Sequence, residues 1–245
     1  MILKFGKGEK SLGKENFYLT SHELRDYDYL IITDSRGGMT IDLNFHNSFI
    51  LLLSFFLESF NKSYIIISRP KNLTVFATLI NFLKLNSDLR FKYLVTNLGF
   101  VDCTPKKQKN IDDIMSQIKQ FSNISNTIIK HENYELNDGN SEILKSVKYK
   151  EKYLIEITQN LNQRFEKCYF INTPIVNHSM KMERERPNSF FQQLHVTNKL
   201  INDLVNLNGK NMLIDIKEFN CTYDGVHYTK KGHEMIFHKI KESIK

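Results

Sequence analysis

The sequence predicts an α/β protein with a parallel sheet, because short apolar runs alternate with longer helical stretches along most of its 245 residues. Five runs rich in Ile, Leu, Val, Tyr and Phe have the length of buried strands. In a parallel sheet, the loops at the carboxyl ends of the strands meet at one edge, and ligands bind there. The strands are predicted at 27–33, 64–68, 91–96, 168–172 and 212–215.

The first strand, 27–33, leads through a glycine-containing turn into a helix predicted at 40–60. The apolar run 49–57 within that helix is about half the ~20 residues needed to span a bilayer, so it is interpreted as a buried helix. The second strand is followed by a helix at 73–85, and the third by a loop at 97–105. Helical patterns precede the last two strands, as crossover connections require.

The chain is expected to form one domain over residues 1–245, with a polar insertion of one or two helices and a loop at about 104–152. Its three cysteines are odd in number and widely spaced, so neither a disulfide framework nor a metal site is indicated. A reducing compartment fits this pattern. Because no early apolar run has the length of a secretory signal, a cytoplasmic protein without a transmembrane segment is predicted.

The formal net charge of +7 suggests an anionic partner, although the lysines are scattered and interleaved with acidic residues. No zinc-finger spacing, aromatic strand motif or long basic helix is present, so nucleic-acid binding is not predicted. An acidic glycan or a phosphate-bearing donor suits the charge. The sequence leaves the oligomeric state open.

Two turns at the predicted sheet edge contain residues suited to acyl transfer. Ser35 follows the first strand and precedes Gly37, so its hydroxyl can be presented beside backbone N–H groups. Near the other end of the chain, Asp224 lies three residues before His227 in a turn that runs into an amphipathic helix. A carboxylate that accepts the Nδ1 proton of a histidine leaves Nε2 free to take a proton from a nucleophile. Taken separately, the serine turn is better explained as a helix cap and a tight turn, and the histidine turn could be an ordinary turn followed by a helix cap.

Taken together, the turns resemble the first and last motif blocks of the SGNH/GDSL hydrolase family. Residues 97–102, Asn-Leu-Gly-Phe-Val-Asp, look like that family's Gly-x-Asn-Asp block, and Thr173-Pro174 follows the fourth strand where members often carry Thr-Pro. The order of the blocks matches over residues 27–245. The resemblance implies a three-layer α/β/α, flavodoxin-like fold with a five-stranded parallel sheet, and serine-dependent acyl-ester chemistry.

The same resemblance implies that Ser35 is the nucleophile, that His227 is the general base and later the acid, and that Asp224 orients His227. Val101 stands where the family has an amide donor to the oxyanion hole, and residues 68–73 lack the family's second-block glycine. The donors expected instead are the backbone N–H groups of Ser35 and Arg36, the Asn97 side chain and, as a charged helper, Arg69. Further candidates for substrate contact are Asp34, Arg69, Gly99 and His178, although Asp34 is expected mainly to stabilise the turn.

The leading functional prediction is an acyl-ester hydrolase or acyltransferase acting on O-acyl groups, with O-acetyl groups of a carbohydrate preferred. No cofactor is required for hydrolysis, whereas an O-acetyltransferase would take its acyl group from acetyl-CoA. A lipase or thioesterase is a further alternative. A different class of function is a non-catalytic glycan-binding or assembly protein that has kept the fold and lost the oxyanion hole.

Overall fold

The computed structural model of the chain describes residues 2–5, 17–20, 25–38, 45–69, 73–120, 122, 128–135, 141–174, 190–216 and 221–244. The strands in chain order are β1 (Ile2–Phe5), β2 (Phe17–Thr20), β3 (Asp26–Thr33), β4 (Tyr64–Ser68), β5 (Arg90–Thr96), β6 (Ile128–Glu135), β7 (Ser141–Lys148), β8 (Lys167–Ile171) and β9 (Asn211–Ile214). The helices are α1 (Phe49–Ser59), α2 (Phe76–Leu85), α3 (Phe100–Cys103), α4 (Gln108–Lys119), α5 (Glu151–Asn162), α6 (Phe190–Asn206) and α7 (Lys230–Ser243).

The centre of the fold is a sheet with the strand order β1-β2-β4-β3-β5-β8-β9. Neighbouring strands from β4 to β9 pair in parallel, and these five strands match the five predicted ones to within a residue or two. Counted along the chain, their spatial order is 2-1-3-4-5, which is the flavodoxin-like arrangement. The predicted α/β fold with a five-stranded parallel sheet is therefore confirmed.

Helices cover both faces of the sheet because successive side chains of a strand point to opposite faces. On β3, Leu30 and Ile32 pack in the core beneath α2, α4, α5 and α6. Tyr29 and Ile31 belong to a second core beneath α1 and α7. The apolar helix α1 is largely buried, as its sequence predicted. No helix in the described ranges is long and apolar enough to cross a membrane.

Three features differ from the sequence-based expectations. The predicted helix 40–60 begins only at Phe49 in the structure; a short 3-10 turn covers Phe45–Asn47, and 39–44 lie outside the described residues. Strands β1 and β2, which were not predicted, extend the sheet beyond β4 in antiparallel orientation. The insertion expected at 104–152 contains a helix, α4, but α4 is followed there by the antiparallel hairpin β6–β7, which was not predicted.

The hairpin was missed because its residues are mostly polar, and a polar segment resembles a loop when its pairing partner is unknown. Its position depends on tertiary contacts. Lys145 exchanges two backbone hydrogen bonds with Lys106, at 2.8 and 2.9 Å, and the Tyr149 hydroxyl after β7 donates to Asp102 Oδ1 at 2.8 Å. The residues that join β6 to β7, 136–140, lie outside the described residues.

Candidate active site

Ser35 lies in a 3-10 turn, Ser35–Gly37, directly after β3 at the carboxyl edge of the sheet. Asp34 caps this turn, since its side chain accepts the backbone N–H of Arg36 at 2.9 Å. Gly37 passes so close to β3 that a Cβ atom there would lie 2.2 Å from Thr33 Oγ1. The turn therefore needs glycine at this position, and it leaves Ser35 half-buried with its hydroxyl at the edge.

Asp34 also joins the serine turn to the loop after β5. Its backbone N–H donates to Asn97 Oδ1 at 3.0 Å, and Asn97 Nδ2 donates back to Asp34 Oδ1 at 3.2 Å. Both residues are almost fully buried. A reciprocal pair of this kind satisfies buried polar groups on both sides and fixes the separation of two strand ends.

The Arg36 side chain lies in the interior directly beneath the serine turn and is 0% exposed. Its guanidinium forms an ion pair with Asp34, with Nη2 to Oδ2 at 2.8 Å and Nε 3.0 Å from each carboxylate oxygen. Nη1 donates to Thr173 Oγ1 at 3.0 Å, and Nη2 donates to the Asn97 carbonyl. Although burial opposes its charge, the neighbouring Asp34 carboxylate leaves the pKa of Arg36 above its usual value. Arg36 thus connects the ends of β3, β5 and β8.

The histidine turn, 221–228, is closed by its own backbone. Tyr223 N–H donates to the His227 carbonyl at 3.0 Å, and Asp224 Oδ1 accepts the N–H groups of Val226 and His227 at 3.0 and 2.8 Å. Gly225 has a φ of +77°, a conformation that glycine adopts without steric cost. Asp224 is therefore held by the backbone of the turn it stabilises, with Oδ2 left to face the imidazole.

Helix α7 fixes the other end of this turn. Thr229 caps the helix by accepting the Gly232 N–H at 3.2 Å, and Thr229 N–H donates to the Cys221 carbonyl at 2.9 Å. His233 Nδ1 accepts the N–H of Phe49 at 3.1 Å and so caps α1. The first turn of α7 is thus held against both α1 and the histidine turn.

The structure brings Ser35, His227 and Asp224 together in a hydrogen-bonded chain. Ser35 Oγ lies 3.3 Å from His227 Nε2, and His227 Nδ1 lies 3.0 Å from Asp224 Oδ2. The His227 side chain is 12% exposed and that of Asp224 is 6% exposed. In the tautomer with the proton on Nδ1, Nε2 can accept the serine proton, and the shielded carboxylate stabilises the imidazolium that forms.

Two of the expected oxyanion donors are directed elsewhere. The Arg36 N–H donates to Asp34, as described above, and Asn97 is fully buried with its side-chain amide bonded to Asp34. Neither group is free to contact a substrate, so the expectation for both is corrected. Among the described residues, no hydrogen bond uses the Ser35 N–H, which is the backbone donor that remains.

The further candidates for substrate contact are dispersed. Asp34 and Gly99 are buried, and a Cβ atom on Gly99 would pack against Ile201 and Phe76, so neither is placed to contact substrate. Arg69 is half-buried and has a φ of +47°; its N–H donates to the Thr33 carbonyl at 2.8 Å, two residues before the nucleophile candidate. His178 lies outside the described residues.

Three buried titratable groups, Asp102, Cys103 and Lys106, follow shortly after Asn97 in the chain. Burial raises the pKa of Asp102 to about 6 and that of Cys103 to about 12, and it lowers the pKa of Lys106 to about 8. Cys103 is therefore a thiol at neutral pH, and the thiol form is a weak nucleophile. It borders a cavity of about 500 Å³ between Tyr149, α5 and α6, whose lining does not include the Ser35–His227 pair.

Sequence reasoning missed two side chains around the site. Nothing in the sequence distinguishes Arg36 from an exposed arginine in a turn, because its burial depends on partners more than 60 residues away. The ring of Tyr223 stacks on that of His227, with centroids 5.9 Å apart and planes inclined by 25°. Their i, i+4 spacing within a loop carries no signal of such a contact.

In the described part of the chain, no group of three or more His, Cys, Asp or Glu side chains could hold a metal ion.

No protein-family model matches the chain, and no curated protein matches it significantly. Among solved structures it is similar to a psychrotrophic esterase from Pseudoalteromonas sp., with 8% identity over 89% of this chain and 96% of that one and a TM-score of 0.47. It is also similar to an extracellular lipase from Streptomyces rimosus, with 9% identity, coverage of 89% and 100%, and a TM-score of 0.42. A gut microbial diltiazem-metabolizing enzyme shows 10% identity, coverage of 95% and 48%, and a TM-score of 0.49. Family membership does not follow from similarities of this size.

Proposed function

We propose that this chain is a serine-dependent acyl-ester hydrolase of the SGNH type, acting through Ser35, His227 and Asp224. One observation carries the proposal: the distances of 3.3 Å and 3.0 Å that join a turn serine, an imidazole and a shielded carboxylate in that order. Nucleophile, base and orienting group within hydrogen-bond reach are the geometric requirement for an activated serine. The serine–histidine distance is slightly long, as is common before substrate binds.

In the proposed reaction, Ser35 Oγ attacks the ester carbonyl carbon while its proton moves to His227 Nε2. The carbonyl electron pair moves onto oxygen, then returns as the bond to the leaving alcohol breaks, and Nε2 protonates that alcohol. Water then repeats the sequence on the acyl-enzyme and releases the carboxylic acid. Asp224 stays ionised throughout and stabilises the imidazolium. If a sugar hydroxyl replaces water in the second half, the product is a new ester and the enzyme is an acyltransferase.

Stabilisation of the oxyanion is assigned to the Ser35 N–H together with the Arg69 guanidinium. The backbone N–H of Arg69 does not contribute, because it is bonded to the Thr33 carbonyl, and Pro70 has no N–H. Removing one oxyanion donor from an esterase site costs about 10²–10³ in turnover. We therefore expect a slow hydrolase, and expect Arg69→Ala to lower kcat more than Arg69→Lys does.

The preferred substrate class is an O-acetylated carbohydrate. The net charge of +7 supports an anionic glycan, and the same charge suits acetyl-CoA if the protein is a transferase. A single domain and a cytoplasmic location are part of this proposal.

The decisive experiment uses a fluorophosphonate probe and p-nitrophenyl acetate, with Ser35→Ala beside the exposed-serine control Ser59→Ala. We expect the wild type and Ser59→Ala to be labelled and to release p-nitrophenol, and Ser35→Ala to do neither. Turnover that persists in Ser35→Ala would contradict the mechanism. Parallel incubations with acetyl-CoA and acceptor glycans distinguish a transferase from an esterase.

A non-catalytic glycan-binding protein is the second candidate, favoured by the loss of Arg36 and Asn97 as oxyanion donors. It predicts that wild type and Ser35→Ala bind an O-acetylated glycan with equal affinity in calorimetry and that neither turns it over. Ser35-dependent release of acetate would exclude it.

A further inference from the structure

The phenol ring of Tyr223 lies on the His227 imidazole, one residue before the carboxylate that orients that imidazole. The ring centroids are 5.9 Å apart and the planes are inclined by 25°, which is an offset-stacked pair. Tyr223 is half-buried. The backbone hydrogen bond from its N–H to the His227 carbonyl, at 3.0 Å, holds the two residues in this arrangement.

We propose that Tyr223 is a positioning residue for the general base, acting through its ring and not through its hydroxyl group. This proposal rests on the proposed function, and it adds a constraint that the triad lacks. The imidazole rotates about its Cβ–Cγ bond, and the hydrogen bonds to Ser35 and Asp224, at 3.3 and 3.0 Å, hold it only through its two nitrogens. A ring on the imidazole face opposes that rotation.

The stacking has a second consequence when the imidazole becomes protonated. A cation close to the face of an aromatic ring is attracted by the ring's quadrupole. The imidazolium that forms as Ser35 attacks is therefore favoured by Tyr223 on its face and by Asp224 at Nδ1. Because the gain arises only once the proton has been transferred, it should raise kcat more than it lowers KM.

The test compares Tyr223→Phe, which keeps the ring, with Tyr223→Leu, which removes it. Phe60→Leu serves as the matched control, since it removes an exposed aromatic ring at the end of α1. We expect Tyr223→Leu to lose about tenfold in kcat with little change in KM, whereas Tyr223→Phe and Phe60→Leu stay within about twofold of wild type. Equal losses in Tyr223→Phe and Tyr223→Leu would assign the effect to the hydroxyl and overturn the proposal, as would full activity of Tyr223→Leu.

A second readout does not depend on turnover. In the Ser35→Ala background, ¹⁵N NMR reports the tautomer of the His227 ring, with His227→Asn used for assignment. Removing the Tyr223 ring should let the imidazole leave the arrangement in which Nδ1 faces Asp224, so the tautomer with the proton on Nδ1 should lose population in the Tyr223→Leu protein. Asp224, the charged partner of the ring, is unchanged in every variant.

The two readouts separate the failure of this inference from the failure of the proposed function. If the wild type shows no Ser35-dependent hydrolysis, the proposed function fails, and the NMR comparison still measures whether Tyr223 positions the imidazole. An unchanged tautomer of His227 in Tyr223→Leu would overturn the inference even in an active enzyme.

Discussion

Gly232 offers the sharpest test of how the histidine turn is held. It lies in the first turn of α7, where a Cβ atom would stand 2.1 Å from the Cys221 carbonyl oxygen. That oxygen belongs to the backbone and accepts the Thr229 N–H, so it has little freedom to move. Gly232→Ala should therefore push the start of α7 away from Cys221 and disturb the turn that carries His227.

Two effects oppose each other in this variant. Replacing glycine by alanine inside a helix favours folding by about 1 kcal/mol. Against this, ordinary contact begins at 3.4 Å, so the atoms must separate by more than 1 Å; overpacking of this kind costs about 1–3 kcal/mol or more, and weakening the Thr229 hydrogen bond adds about 1 kcal/mol. The clash should win, leaving Gly232→Ala about 2 kcal/mol less stable and lowering Tm by roughly 4–8 °C.

Gly209→Ala is the matched control, because nothing lies within 4 Å of a Cβ atom placed there. It should leave stability unchanged or raise it by about 0.4–1 kcal/mol. Thermal unfolding by circular dichroism measures both variants. Since a displacement of about 1 Å at the proposed general base can cost 10²-fold in rate, p-nitrophenyl acetate turnover should fall in Gly232→Ala alone. Wild-type stability and turnover in Gly232→Ala would refute the reasoning.

Three further predictions concern the charged groups. Arg36→Lys replaces a planar guanidinium that bonds three partners by a single ammonium group, so the free energy of unfolding in urea should fall by about 2–4 kcal/mol. Wild-type stability of this variant would contradict the expectation. Asp224→Asn should lower kcat about 10⁴-fold with an unchanged circular dichroism spectrum, whereas a loss below tenfold would remove Asp224 from the mechanism. Burial raises the pKa of Asp102 from 3.8 to about 6, so the folded state keeps a proton that the unfolded chain releases at lower pH. As pH rises from about 4 to about 6, the unfolding free energy of the wild type should thus fall relative to that of Asp102→Asn. If urea unfolding shows the same free-energy difference between the two proteins at every pH, the raised pKa is refuted.

The sequence was most informative about the two turns at the sheet edge. Ser35 and His227 are 192 positions apart, and their meeting follows from placing both after strands of one parallel sheet. The residues that shape each turn could also be predicted, because Asp34 and Asp224 accept backbone N–H groups two or three residues further along the chain, and such bonds depend on sequence spacing.

The sequence did not predict which groups are available to stabilise an oxyanion. Asn97 was expected to face the substrate because it ends a strand beside Ser35, yet it is turned inward to Asp34. The direction of an amide depends on which partner lies within about 3 Å. That partner is set by the packing of β3 against β5 and by the buried Arg36 guanidinium, so local spacing could not reveal it.

By itself, the sequence determined the parallel sheet, the edge where its loops meet and the three residues that form the hydrogen-bonded chain at that edge, since apolar periodicity and turn chemistry act over short distances along the chain. Only the tertiary structure decided which polar groups remain available at that edge. It buried Arg36 and Asn97, placed the hairpin β6–β7 against the loop after β5, and laid the ring of Tyr223 on His227. The physical reason is that hydrogen bonds and ring contacts are directional over tenths of an ångström, and such distances are set by the packing of segments far apart in sequence.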